Sequence, residues 1–219
     1  MRPNETTDGT VVAEVLAAIA YGERLGAKRA QDAVRLAPDA RSASLQQHIA
    51  DRERQNSELV AARLGEVHGE EMIDRFLPYF DAFFEHTEPG DWIEVQTFHY
   101  VGDALVSDFA DALVPLLDTV SGEIVRRALG NREDQEEFAL EELTRAMKSK
   151  PEVADTIRYY SRRIMGEAFT QTSRALEQSA GLKSLLGSDQ DGGKRFILEL
   201  LERHRQRLDR LGIEPLDDD

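Results

Sequence analysis

Three acids interrupt the apolar faces of three consecutive helical segments. In the first segment, spacings of three and four connect Val12, Leu16, Ile19, Glu23, Ala27, Ala30 and Val34. Glu23 therefore stands on the face that should meet a core. The second stripe reads Leu45, Ile49, Glu53, Asn56, Val60, Leu64 and Val67. The third reads Trp92, Gln96, His99, Asp103, Val106, Ala110, Leu113 and Leu117. A buried carboxylate must be paired, hydrogen-bonded, protonated or metal-bound, because an isolated buried charge costs several kcal/mol or more. Inward acids on several helices are also the raw material of carboxylate metal sites in helical bundles. Glu23, Glu53 and Asp103 are thus the candidate metal ligands. A complete two-metal site takes one Glu from each of two helices and a Glu-x-x-His turn from each of two others.

Helix two offers Glu53-Arg54-Gln55-Asn56, with Asn where that turn requires His. Helix four offers Arg132-Glu133-Asp134-Gln135, or, shifted by one residue, Glu133 with Glu136. If Arg132 takes the acid position, its guanidinium supplies the positive charge of a metal and neutralises Glu23, Glu53 or Asp103 directly. Asn56, His99, Arg132, Gln135 and Glu167 are the further residues expected to line the centre. His99 stands four residues before Asp103, so a hydrogen bond between them is the leading expectation and metal ligation the alternative. Glu167 is expected to pair with Arg163, or else to support the centre from behind. His48 and His68 lie too far from Glu53 along helix two. His86 falls in a crossover, and His204 reads as a satisfied core histidine.

The elements that must position these residues are all helical. One long helix is expected to Ala37 before Pro38 and a second to His68, with Gly69 as its terminator. The aromatic stretch Glu70–Glu88 reads as a short helix plus crossover. A third helix runs from Asp91 to Leu117, where the interior Gly102 marks close approach or a local distortion. A continuous fourth runs from Ser121 to Lys148 and a fifth from Pro151 towards Ser179. A loop over Gly187–Gly193 and a last helix, Lys194–Leu211, complete the expected order. Residues 1–9 read as a leader, 10–212 as one helical domain and 213–219 as an acidic tail.

Composition agrees with helices: 41% of the 219 residues are hydrophobic and prolines number only 7. The 27 basic and 42 acidic residues give a net charge of −15, which argues against a general nucleic-acid surface. There is no cysteine, so disulfides, thiolate metal sites and cysteine nucleophiles are excluded. No apolar run approaches the roughly 20 residues that cross a bilayer, and a cytoplasmic protein is expected. Phosphate-binding loops, dinucleotide fingerprints and nucleophile elbows are absent from the sequence.

Tyr21-Gly22-Glu23, Glu53-x-x-Asn56, Tyr100-Val101-Gly102-Asp103 and Arg162-Arg163-Ile164-Met165-Gly166-Glu167-Ala168 occur in this order, with Asp91-Trp92 before helix three. Together they resemble the ferritin-like proteins grouped with the tRNA methylthio-isopentenyl-adenosine hydroxylase, across roughly residues 10–212. The resemblance implies a ferritin-like four-helix bundle with a crossover segment and additional C-terminal helices. It also implies two irons (or manganese ions) that activate dioxygen, and tRNA as a partner. Position by position, Asn56 then stands for the first histidine, and Arg132 and Gln135 for the second acid and histidine. The leading expectation is a degenerate, metal-free centre acting by binding or assembly, with a homodimer formed through residues such as Phe83 and Phe84. The alternative is a di-iron or dimanganese hydroxylase. Iron storage is weaker still, because no feature predicts a cage.

Overall fold

A computed structural model describes residues 9–130, 132–179 and 190–214. The expected leader (except Gly9), the first three residues of the loop expected before the last helix and the end of the tail lie outside these residues. Among the described residues every regular element is helical: α1 (Gly9–Ala33), α2 (Ala40–Glu66), α3 (Leu77–His86), α4 (Trp92–Thr97), α5 (Asp103–Leu113), α6 (Thr119–Leu129), α7 (Glu133–Ser149), α8 (Val153–Gln178) and α9 (Gln190–Arg210). The bundle consists of α1, α2, the α4–α5 rod and the α6–α7 pair. In sequence α3 is the crossover, and it packs on α8. No helix among the described residues is long and apolar enough to cross a membrane.

Local chemistry sets the boundaries. Asp39 caps α2 by accepting the Ser42 amide at 2.8 Å, and Asp91 caps α4 by accepting the Glu94 amide at 2.9 Å. At the end of α2 the left-handed residue is His68 (φ 54°), not the expected Gly69. Gly69 is required for a different reason, since a Cβ there would lie 2.5 Å from Leu64 and 2.9 Å from Ala13.

Two departures from continuous helices shape the centre. Between α4 and α5, Phe98–Gly102 forms a π-helical turn, the distortion that Gly102 announced. A Cβ on Gly102 would stand 3.0 Å from the Phe98 ring. Such wide turns recur at functional sites, and this one carries His99 and leads into Asp103. The expected continuous fourth helix is broken. α6 starts at an Asp118 cap rather than at Ser121, and α7 begins only at Glu133. Arg132 is the N-cap residue of α7, with its backbone outside the helical region. The break frees Arg132 from the helical register and lets its side chain reach α1.

Polar residues are set between apolar clusters. Along α2, Glu53 and Asn56 fall between Ile49–Ala50 and Val60–Leu64, which belong to different clusters. The last helix starts at Gln190, earlier than expected, and docks on α5: Asp108 receives Arg203 and Arg207, each at 2.8 Å.

Candidate acidic centre and its cavity

The structure brings Glu23, Glu53, Asn56, His99, Asp103, Arg132 and Gln135 together, all buried. Arg132 Nη2 donates to Glu23 Oε1 at 2.5 Å, while Arg132 Nη1 reaches the Asp103 carbonyl at 3.5 Å. Burial alone would lower the Arg132 pKa. The carboxylates of Glu23, Asp103 and Glu53 outweigh it and raise that pKa instead, so the guanidinium stays protonated. Burial pushes Glu23 upward, opposed by Arg132 and by a hydrogen bond from Asn56. The register that turns Arg132 and Gln135 inward is therefore the observed one. Glu133 is exposed, and Glu136 pairs outward with Arg210 at 3.0 Å.

Like Glu23 Oε2 and Arg132 Nε, Glu53 Oε1 is buried with no hydrogen-bond partner. Burial, then the neighbouring Asp103, pushes its carboxyl up to about 8. Space for that carboxyl comes from Gly26 on α1, where a Cβ would lie 2.8 Å from Glu53 Oε2.

His99 Nδ1 lies 2.8 Å from Asp103 Oδ2, the contact expected from their spacing. On its other side, His99 Nε2 lies 3.0 Å from Gln46 Nε2. Nδ1–H donating to Asp103 and Nε2 accepting from Gln46 satisfies both ring nitrogens. Gln135 Nε2 also donates to Asp103 and stands 2.7 Å from His99 Nδ1. Arg52 donates to Gln135 Oε1. Because a guanidinium can only donate, it fixes the amide with its NH₂ towards the centre.

One expected member of the centre is placed elsewhere. Glu167 does not line the centre and does not pair with Arg163. It accepts from Gln171 and meets His86 Nδ1, both at 3.1 Å, because its turn of α8 faces the end of α3. Arg163 instead donates to the Glu88 carbonyl at 3.2 Å. His204 is not a satisfied core histidine: its buried Nδ1 has no partner, and burial lowers its pKa to about 4.

Four residues around the centre escaped the stripes. Gln46 lies seven residues before Glu53, on the same face, and this spacing was a usable signal. Arg52 adjoins Glu53, and Gly26 is legible only once α1 and α2 are packed. Arg29 is buried between the rings of Phe84 and Phe98, its guanidinium carbon 4.3 and 4.2 Å from their centroids. It also donates to the Phe84 carbonyl at 2.5 Å. No sequence pattern distinguishes it from a surface arginine.

A cavity of about 220 Å³ opens onto the centre. Glu23, Glu53, Asp103 and Arg132 form its polar end, while apolar residues of α1, α3, α5 and α8 supply most of the wall. Phe83 and Phe84 belong to that wall and pack on Phe98, with centroids 6.1 and 6.2 Å away. Both are half-buried. The cavity is open to solvent rather than sealed. A smaller pocket of about 80 Å³ touches His99, Asp103, Arg132 and Gln135.

The donor set decides what metal the centre fits. One oxygen or nitrogen each from Glu53, His99 and Asp103 lie within 4.8 Å of one another, a set suited to a single divalent ion. A two-metal centre does not fit these residues. Glu23 is committed to Arg132, and Gln135 presents N–H groups where a ligand must present a lone pair.

An all-helical bundle with inward acids and a crossover defines a ferritin-like fold. A family model described as "Ferritin-like domain, actinomycetes" matches residues 7–189. The chain belongs to that family. A search of curated proteins finds no match.

Proposed function

We propose that this chain is a ligand-binding member of the ferritin-like fold in which an arginine–carboxylate pair has replaced two-metal chemistry. The buried Arg132–Glu23 contact at 2.5 Å carries this reading. It places a permanent cation among the acids, in the role a metal would otherwise fill, and it removes Glu23 from the available ligands. The cavity beyond gives the centre something to do: its polar end can hold one part of a ligand and its wall the rest. Assembly into a homodimer belongs to the same reading, now through the exposed Ile197, Leu198 and Leu201 of α9 rather than through Phe83 and Phe84.

A second reading is supported by the Glu53–His99–Asp103 cluster. These three residues would hold one divalent ion, which would supply Lewis acidity at the cavity's polar end. Binding there requires the hydrogen bonds of Asp103 with His99 and with Gln135 to open. The hydroxylase implied by the tRNA-hydroxylase resemblance needs two ions, and that set is incomplete here.

Oxygen consumption separates these readings from the oxygenase. Protein incubated anaerobically with Fe(II), desalted and mixed with dioxygen is expected to consume none beyond a buffer control. A stoichiometric burst that disappears in Glu53→Ala would overturn the proposal.

A further inference from the structure

Resting on the binding reading, we infer that the cavity holds one straight-chain aliphatic molecule ending in a primary ammonium. The chain lies along the apolar wall, and the ammonium sits at Glu53 and Asp103.

The wall fixes the tail. Phe80, Phe109, Leu113 and Leu176 are among the apolar side chains that face the cavity, and few polar side chains interrupt them away from the acidic end. Its ≈ 220 Å³ exceeds the ~150 Å³ engineered apolar cavity that admits benzene. The space is thus large enough for a chain of more than six carbons and too small for a helix of a partner protein, whose diameter is about 10 Å.

The polar end fixes the head. Glu53 is 3% exposed, and its Oε1 has no donor. A ligand carrying a donor can satisfy it. Three carboxyls, from Glu23, Glu53 and Asp103, face the cavity; Arg132 is the one arginine in its lining and is committed to Glu23, while Arg52 and Arg29 act on the acids from outside the lining. A carboxylate or phosphate head would add a further negative charge to this group. A primary ammonium supplies a positive charge and three donors, and it matches the spacing at which Glu53 and Asp103 present oxygen atoms. An alcohol supplies one donor and no charge, so it should bind in the same place but more weakly.

Isothermal titration of metal-free protein at about pH 9, where the Glu53 carboxyl is ionised and the amine still protonated, with n-decylamine, decan-1-ol and decanoate, each below its micellar concentration, tests this assignment. Expected is one decylamine per chain, bound at least tenfold more tightly than the alcohol, with no heat from decanoate. Glu53→Gln should weaken the amine about tenfold or more, as for loss of one charge-assisted hydrogen bond, and leave the alcohol nearly unchanged. Ala175→Phe and, independently, Ala18→Phe narrow the wall and should abolish binding of both, with circular dichroism reporting whether each variant is folded. Decanoate binding as well as decylamine, equal affinity for amine and alcohol, or retained binding in both folded phenylalanine variants would overturn the inference. An oxygen-consuming iron centre would defeat the binding reading instead. The two failures are thus separable.

Discussion

Arg132 Nη2 and Glu23 Oε1 meet at 2.5 Å, joining the break before α7 to the middle of α1. Both side chains are almost wholly buried, so neither charge is screened by water. Breaking such a pair is far more damaging than replacing it. Arg132→Met is expected to cost about 3–5 kcal/mol, because Glu23 is left as an uncompensated buried charge. The double variant Arg132→Met with Glu23→Leu should recover most of that loss. Urea unfolding of the two singles and the double measures it, and equal destabilisation in single and double would contradict the pairing.

Restoring the ligand pattern should restore metal binding. The triple substitution Asn56→His, Arg132→Glu and Gln135→His recreates two Glu-x-x-His turns facing Glu23 and Asp103. This variant is expected to retain close to two Fe(II) per chain after desalting, read by elemental analysis. If it retains no more than the parent chain, the three positions do not face a common centre as described.

Gly26→Ala tests the fit between α1 and α2. The new methyl would fall 2.8 Å from Glu53 Oε2, yet the carboxyl can swing towards the cavity. Stability should therefore fall by only about 1 kcal/mol, as alanine's better helix propensity offsets part of the clash. Decylamine affinity should drop clearly, because Glu53 has moved. A neutral effect on both, by urea titration and calorimetry, would argue against this packing.

The pH dependence of stability carries the mark of Glu53. Its folded pKa is raised, from an ordinary value of 4.5 to about 8. A raised pKa means that the folded state holds its proton more tightly. The stability this contributes is complete below pH 4.5 and is lost as pH rises through 8. Metal-free protein should therefore lose several kcal/mol, in order of magnitude, across that window, while Glu53→Gln flattens the profile. His204 acts with the opposite sign. Its folded pKa is depressed to about 4, so its contribution is present above 6.5 and fades as pH falls towards 4. Chemical denaturation at half-unit pH steps, with and without Glu53→Gln, checks both.

The periodicity of α1, α2 and the α4–α5 rod made Glu23, Glu53, Asn56, His99 and Asp103 legible, because a carboxylate on an apolar face violates a strong rule. The inward register of Arg132 and Gln135 could not be settled in the same way. It depends on where the fourth segment breaks, and Gly130 at the end of α6 is a weak signal on its own. Glu167 was misplaced because its face of α8 is shared with α3, whose position no local pattern fixes. The cavity was invisible for a related reason. Aromatic residues such as Phe83 read as core or interface equally well until the helices around them are set at their distances.

The central claim is that a guanidinium has replaced metal charge in a ferritin-like centre. It is tested most directly by elemental analysis of the untagged chain after anaerobic loading with excess Fe(II) or Mn(II) and desalting. The account predicts fewer than two ions per chain: none, or one that is lost in Glu53→Ala and in His99→Ala. Two ions per chain, both lost on Glu23→Ala, would contradict it.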